Sequence, residues 1–447
     1  MTFRDSIATA IDRNKGLCVV LSSFIYGIVL WGFAYTFTII FVYIQEEFNS
    51  STTATGWVGS AYYGLSNTLV IVMALLLKRF KYRTICLSGT VLAGLSLLAS
   101  SFVQSIHGLF ITYGVLYSTG TCLAFYVTID LMKIFYSNSS KITRVSCFAS
   151  MGGTVGLFIQ SPLVGKLLTA IGWRSVLRIY SGLTLIVGFT CSMFMQTPDT
   201  RLNNRVKRGK NVDTGVKEDE EQDEKHNLWN VLTYPEWWCF FIGMVLTTTA
   251  TLFSYVNIVD FMKYVGISPY VSSWILIGAA VADISGKTIF VVFGDRMTFP
   301  KLYILPPNNL LLAAIMIVLI YVRTSLHMII LVISMGLLRS IFHAIPWLAT
   351  IELLGSRRNT ESTVLTCLGY GIGSFCGTLV GGMSVDFTGS YDVGLLISCG
   401  MYFIGAIFLQ AAPLYQKVFA PERYLVDNKM PSDPNYEYII DSYVTTV

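Results

Sequence analysis

The chain has 447 residues, of which 53% are hydrophobic and only 13% are charged. Soluble domains carry about 25% charged residues, so this composition excludes an ordinary soluble protein. The formal net charge of +5 is spread over short basic segments rather than one basic surface, so we expect no nucleic-acid partner.

Apolar runs of about 20 residues recur along the chain, and each is long enough to cross a bilayer core as a helix. Only helices and closed barrels satisfy every backbone polar group in lipid, and these runs are too long and continuous for barrel strands. We therefore predict an all-α membrane protein with twelve transmembrane helices. In chain order the predicted spans are 17–43, 56–77, 82–103, 108–131, 145–168, 174–196, 235–258, 270–293, 301–322, 326–350, 360–383 and 393–416.

Lysine and arginine collect on one side of this arrangement. If the N-terminus is placed in the cytoplasm, 24 of the 31 basic residues fall in cytoplasmic segments and 4 fall in outer loops. The positive-inside rule predicts such a bias. Both termini are therefore predicted to be cytoplasmic.

A charged segment without aromatic residues, 198–228, separates the first six spans from the last six. Such a segment cannot bury a core, which favours two helical bundles joined by a linker. The predicted domains are a cytoplasmic N-terminus (1–16), a six-helix bundle (17–196), a cytoplasmic linker (197–234), a second six-helix bundle (235–416) and a cytoplasmic tail (417–447).

Glycines mark the fifth and eleventh spans, where small residues four apart let membrane helices approach closely. Static packing and a surface on which the two halves rock are both consistent with this pattern, and the sequence leaves both open. The glycines concerned include Gly152, Gly153, Gly156, Gly373 and Gly377.

Two pairs of ionisable residues lie inside predicted spans, where a charge at the bilayer centre costs about 2.5–3.5 kcal/mol. Asp283 and Lys287 are four residues apart, as are Arg339 and His343, so each pair shares one helix face. Such faces must meet protein or water, and the residues on them are candidates for function. A structural ion pair is the alternative for Asp283 and Lys287.

Fixed cations in a low-dielectric cavity favour an anionic ligand. Tyr35 and Tyr255 lie on spans nearby, and we add them to the candidate substrate-binding residues. Asp130 and Lys133 close the fourth span at its cytoplasmic end, where a lysine is expected to extend its ammonium into water.

No cofactor motif, metal-ligand spacing or catalytic motif is present in the sequence. We therefore expect no enzymatic activity, no cofactor and no metal. Nine cysteines lie mostly in apolar spans and are expected to be packing residues without disulfides.

Short strings along the whole chain resemble the signatures of one known family. They comprise Gly56-Trp57, the fifth-span pattern of Ala149, Gly152 and Gly156, the triplet 172–174, the pair Asp283 and Lys287, and the string 386–392. On these residues the chain resembles a divergent member of the monocarboxylate transporter family, within the major facilitator superfamily.

The resemblance implies the major facilitator fold and alternating access around a site near the membrane midplane. It implies a secondary transporter of small organic anions, monocarboxylate-like, working by symport at the plasma membrane. Lys287 would contact a substrate carboxylate, and Asp283 would hold it or exchange with it. A single-span immunoglobulin-like chaperone is the partner that the family commonly uses.

The chain departs from the family at two positions. Ile39 stands where the proton-coupled lactate carriers have a lysine, and Lys287 replaces an arginine. Lysine keeps the charge but loses the planar fork that suits a carboxylate. Two alternatives therefore stay open: a transporter-fold sensor without transport, and a facilitative carrier of aromatic amino acids or related compounds.

Two short motifs lie outside the predicted spans. Asn49 begins a glycosylation sequon in a predicted outer loop. The last three residues, Thr445 to Val447, resemble a ligand for PDZ domains, which capture a C-terminal carboxylate.

Overall fold

The structure is a computed structural model, and every long element among the residues that it describes is a helix. The structure describes residues 3–49, 52–136, 141–196, 232–267, 269–297, 299–322, 324–355, 358–388 and 391–420.

The first half contains six helical segments, α1 to α6, two of them with π-helical turns. Gly172 has a φ of 76°, which breaks the run Ile142–Met193 into α5 (142–171) and α6 (173–193). The others are α1 (Phe3–Tyr26, the π turn Gly27–Trp31 and Gly32–Phe48), α2 (Thr52–Thr68 and Val70–Leu77), α3 (Tyr82–Ser100) and α4 (Ile106–Leu109, Phe110–Tyr117, Ser118–Thr121, Cys122–Tyr126 and Val127–Tyr136).

The second half repeats the six-segment plan as α7 to α12. A short 3-10 turn at Gly294–Arg296 follows α8, and a second at Lys301–Ile304 precedes α9. The segments are α7 (Pro235–Tyr264), α8 (Pro269–Phe293), α9 (Leu305–Tyr321), α10 (Ser325–Ala344 and Pro346–Leu354), α11 (Asn359–Thr388) and α12 (Tyr391–Phe419).

These segments confirm the predicted all-α membrane protein with twelve helices. Within the described residues, ten helical stretches are long and apolar enough to cross a membrane, with α5 and α6 counted as one stretch. The glycine-rich α11 is a further helix of 30 residues. The helix α1 begins at Phe3, so it includes most of the predicted N-terminal segment 1–16.

Each half is built by its own helix contacts, and the two halves meet along α2 with α11 and α5 with α8. Within the first half α5 packs on α1, and within the second half α7 packs on α11 and α12. We call the side on which α6 ends and α7 begins the linker side. The predicted linker lies outside the described residues from 197 to 231, as does the tail from 421.

The glycines of the fifth span serve packing within one half. A Cβ at Gly156 would lie 2.5 Å from the carbonyl oxygen of Ile28, and a Cβ at Gly152 would lie 2.3 Å from that of Phe24. Both positions therefore let α5 approach α1 of the same half, which favours the static interpretation for this helix.

Some glycines of α11 pack within one half, as static packing predicts, and one lies on the surface between the two halves. Gly373 and Gly377 face α7 of their own half, where a Cβ would come within 3.0 Å of backbone carbonyl oxygens. Gly371 faces α2 instead, and a Cβ there would lie 2.9 Å from the carbonyl oxygen of Gly64. Of these three glycines, Gly371 is thus the one that contacts the other half.

The end of α1 opposite the linker side is fixed to α6 by an ion pair. Arg174 donates to Glu47 at 2.7 Å and to the Val103 carbonyl at 2.7 Å, and the Trp173 indole also donates to Glu47. Burial opposes ionisation of this carboxyl, but the bonds from Arg174 and Trp173 hold the pKa of Glu47 below its ordinary value. The triplet 172–174 therefore has a structural role here.

Candidate functional site

The predicted pair on α8 forms a closed triad with a threonine of the other half. Asp283 and Lys287 are each 1% exposed. The Lys287 ammonium donates to Asp283 Oδ2 at 3.2 Å and to Thr154 Oγ1 at 2.7 Å, and the Thr154 hydroxyl donates to Asp283 Oδ2 at 2.7 Å. Since Thr154 belongs to α5, the triad joins the two halves by hydrogen bonds.

One oxygen of the Asp283 carboxylate accepts no hydrogen bond from the described residues. Within the described part of the chain, no donor reaches Asp283 Oδ1, although the atom is buried. A buried polar atom without a partner costs about 1–3 kcal/mol, and more when it belongs to a charged group. Asp283 therefore has room for one more donor, either a proton or a donor on a bound molecule.

Arg339 on α10 lies between aromatic rings from both halves. Its guanidinium carbon is 4.7 Å from the ring centroid of Tyr255 on α7 and 5.6 Å from that of Tyr35 on α1. A cation over an aromatic face is attracted by the ring quadrupole. Its Nε also donates to His343 Nε2 at 3.2 Å, one turn further along the helix. An accepting ring nitrogen means that this imidazole is neutral.

The two cations differ in how accessible they are. Arg339, Tyr35, Tyr255 and His343 are half-buried, whereas Lys287 is enclosed. Arg339 interacts electrostatically with both Lys287 and Asp283, so the two predicted pairs belong to one cluster. The structure thus brings all six sequence-predicted residues together and leaves Arg339 as the accessible cation.

An aromatic wall lines the cluster, and two of its members, Tyr35 and Tyr255, were predicted as site residues from the sequence while the others were not. The ring of Trp31 lies beside the rings of three tyrosines, at centroid distances of 6.0 to 6.2 Å: Tyr35, Tyr63 and Tyr126. One ring contact, Tyr126 with Trp347 at 6.0 Å, crosses from the first half to the second. Aromatics are common in any membrane helix, so only the fold reveals the set. We call Trp31, Tyr35, Tyr63, Tyr126, Tyr255, Trp347 and Tyr370 the aromatic wall.

Two members of this wall also support a break in α10. Pro346 has no N–H, so the carbonyl of Phe342 loses its helical donor. The Tyr370 hydroxyl donates to that oxygen at 2.5 Å, and the Trp347 indole donates to the carbonyl of His343 at 3.1 Å. Side chains that line the site therefore replace backbone bonds at the break.

The expectation for Lys133 was wrong, because its side chain does not extend into water. Lys133 and Asp130 are both 0% exposed, since the first turn of α11 covers this end of α4. Lys133 Nζ donates to Ser362 Oγ of α11 at 3.1 Å. Asp130 accepts instead from the hydroxyls of Tyr82, Thr360 and Thr363.

Two predicted peripheral features lie at or beyond the edge of the described chain. Asn49 is exposed and ends α1 with a φ of 47°, on the side opposite the linker. The other sequon residues, 50 and 51, and the C-terminal segment 445–447 lie outside the described residues. Ile39, at the position of the family's first-helix lysine, is half-buried on α1.

The triad predicts a specific effect of Thr154→Val, a change of nearly equal volume. Valine removes the acceptor for Lys287 and the donor for Asp283, and leaving such groups unsatisfied costs about 1–3 kcal/mol. We expect a lower thermal stability of the purified protein and weaker contact between α5 and α8. Thr154→Ser should restore both properties, and equal stability of the valine and serine variants would contradict the bridging role.

In the part of the chain that the structure describes, twelve helical segments form two halves with buried charges held between them, which defines a multi-pass membrane protein of the transporter class. Matches to known protein families agree with this class. The Major Facilitator Superfamily matches residues 19–259, and the MFS_1 like family matches residues 149–393. Each match covers more than half of the chain, so the chain belongs to the Major Facilitator Superfamily.

Individual relatives place it more closely. The chain is 21% identical to monocarboxylate transporter 13 of Rattus norvegicus over 406 residues, which span 90% of both chains. It is 29% identical to monocarboxylate transporter 6 of Mus musculus over 182 residues, covering 40% of this chain and 38% of that protein. The matches agree with the predicted placement in the monocarboxylate transporter family, and their low identities agree with the prediction of a divergent member.

Proposed function

We propose that the chain is a secondary transporter of small organic anions, monocarboxylate-like, that works by alternating access. The observation that carries this proposal is the charge cluster between the halves, in which Thr154 of α5 binds both Asp283 and Lys287 of α8. Charges near the membrane midplane mark substrate and ion pathways. The relatives are named as monocarboxylate transporters, which supports the same class of substrate.

Within this proposal Arg339 is the first contact of the substrate. Its half-buried guanidinium presents a planar fork of N–H donors, which suits a carboxylate held by two parallel bonds. Lys287 is already paired and enclosed, so it offers no free charge in this conformation. The aromatic wall would contact the apolar part of the substrate.

Proton symport is the coupling that we propose for this site. The unpartnered Oδ1 of Asp283 is the position for the proton. Protonation neutralises the carboxylate and weakens its attraction for Lys287, whose ammonium then becomes available to the substrate anion. The same change weakens the bonds through Thr154, which must break when α5 and α8 separate.

An uptake screen in oocytes tests the proposal directly. Monocarboxylates, aromatic amino acids and thyroid-hormone-like compounds would each be supplied at two external pH values. We expect saturable uptake of a carboxylate that rises at the lower pH. Saturable binding to membranes without accumulation of any probe would favour the sensor instead.

A facilitative carrier of aromatic compounds is the second candidate, and the aromatic wall favours it. Arg339 lies over the rings of Tyr35 and Tyr255, and the aromatic wall extends from these rings across both halves, which suits a flat apolar substrate with one anionic group. The same screen separates the candidates. A facilitative carrier would take up aromatic probes equally at both pH values.

We also propose that the protein lies in the plasma membrane with both termini in the cytoplasm. The bias of basic residues toward the linker side supports this orientation. A single-span immunoglobulin-like chaperone and a PDZ protein at Thr445 to Val447 are the proposed partners. Co-precipitation with and without Val447 would test the PDZ contact.

Asn49→Gln tests the orientation. Asn49 is exposed on the side opposite the linker, so a glycan there requires that side to face the lumen and then the exterior. We expect the wild-type chain to lose apparent mass on treatment with a glycan-cleaving amidase and the variant to be insensitive. An insensitive wild-type chain, together with cleavage of a C-terminal tag by external protease, would reverse the orientation.

A further inference from the structure

Lys133 is a buried ammonium that makes no hydrogen bond to a carboxylate among the described residues. It is 0% exposed. It donates a hydrogen bond to Ser362 Oγ at 3.1 Å, and its Nζ lies 5.3 Å from the centroid of the Trp347 ring. An ammonium has three donors, and the Ser362 hydroxyl accepts from one of them, so hydrogen-bonding capacity is left over. Asp130 attracts the charge electrostatically but makes no hydrogen bond to it. Such a group gains free energy from an anion that can reach it.

The neighbouring carboxylate does not fill this need. Asp130 is one turn away on α4, but Tyr82 donates to its Oδ2 at 2.7 Å, and two threonines of α11 also donate to the carboxylate. The described residues contain no ion pair between Asp130 and Lys133. The carboxylate of Asp130 thus accepts hydrogen bonds from hydroxyl groups, whereas the ammonium of Lys133 makes no hydrogen bond to that carboxylate.

A line of side chains on α10 connects Lys133 to the central cluster. Arg339, His343 and Trp347 are spaced four residues apart, so they follow one helix face toward the linker side. Arg339 donates to His343, and Trp347 contacts Lys133. The break in α10 falls between His343 and Trp347, but the ring of Tyr370 lies beside both, at centroid distances of 6.1 and 6.2 Å, so the line continues across the break. Cations therefore stand at both ends of this line.

We propose that Lys133 is a second anion-binding station, on the linker side of the central site. It takes the carboxylate of a substrate that leaves Arg339, and in the conformation described here Ser362 occupies that place. The first turn of α11 must move away from α4 before an anion can bind, because that turn buries the ammonium. This inference rests on the proposed function, and it assigns a site that none of the six candidate residues provides.

The test compares Lys133→Met with Lys133→Arg in vesicles of known orientation, with radiolabelled lactate and benzoate as probes. We expect Lys133→Met to raise the KM for a probe supplied on the linker side by roughly tenfold or more, since a bond to a charged group is lost. The KM for the same probe supplied on the opposite side should stay unchanged. Lys133→Arg keeps the charge and should restore the linker-side KM.

Lys301→Met is the matched control, because Lys301 lies on the same side but pairs with Glu352 at 3.9 Å. It should leave both KM values unchanged. A second measurement follows benzoate binding by tryptophan fluorescence of the purified protein. We expect Lys133→Met to remove a weaker phase and Arg339→Gln to remove a tighter one.

Each outcome separates this inference from the proposed function. If Arg339→Gln removes binding while Lys133→Met changes neither the KM values nor the fluorescence titration, the central site stands and the second station is wrong. If Lys133→Met shifts both KM values equally, Lys133 only holds α4 to α11. If the wild-type protein neither binds nor transports the probes, both proposals are overturned.

Discussion

Arg339→Gln is expected to lower the uptake of organic anions by roughly 30-fold to several thousand-fold at low substrate concentration. The range follows from the loss of about 2–5 kcal/mol when one member of a desolvated charge pair is truncated. Glutamine keeps a polar amide on a shorter side chain but removes the charge and the fork. It also removes the cation that lies over the rings of Tyr35 and Tyr255. The measurement is initial uptake rate per molecule at the cell surface.

Two further variants make this result specific. Arg339→Lys keeps the charge without the planar fork, so we expect an intermediate loss. Arg178→Gln is the matched control, since Arg178 bonds Ser101 and stacks on Phe102 away from the cluster. It should transport normally. Normal uptake by Arg339→Gln would remove Arg339 from the substrate site.

Breaking the pair on α8 is expected to have the largest effect on stability. Asp283→Asn leaves the enclosed ammonium of Lys287 without its counter-charge, and losing one partner of a buried pair costs about 3–5 kcal/mol. Lys287→Met leaves the carboxylate of Asp283 in the same position. We expect both single variants to melt at clearly lower temperature in detergent and to transport nothing.

The double variant, Asp283→Asn with Lys287→Met, distinguishes a charge pair from simple packing. Removing both charges at once avoids the uncompensated charge, so most of the lost stability should return. Transport should remain absent, because the proton position and one cation are gone. Additive destabilisation in the double variant would show that the two side chains act independently.

Hydropathy and charge spacing were enough to predict the helices and the two charged pairs. A run of about 20 apolar residues has few alternatives in lipid. Residues four apart share a helix face whatever the fold, so Asp283 with Lys287 and Arg339 with His343 were recognisable in advance. These features are local, which is why one sequence sufficed.

The features that were missed depend on contacts between the halves. Thr154 is 133 residues from Lys287 in the chain, and Ser362 is 229 residues from Lys133. No local pattern specifies which helices of two bundles will meet. Lys133 was expected to reach water because it is near a helix end, and only the position of α11 shows that this end is covered. The roles proposed for the site residues remain predictions for the experiments above.

The break in α10 has a thermodynamic consequence. Tyr370 and Trp347 bind the carbonyls of Phe342 and His343 at the break and also line the wall around the site. A ligand that turns either ring must therefore change the bending energy of α10. Linkage is reciprocal. If ligand binding shifts the equilibrium between the bent and straight forms of α10 by some factor, the ligand affinities of the two forms differ by the same factor. We therefore expect a substitution that straightens or fixes α10 at this break to change ligand affinity even where the substituted side chain does not line the site.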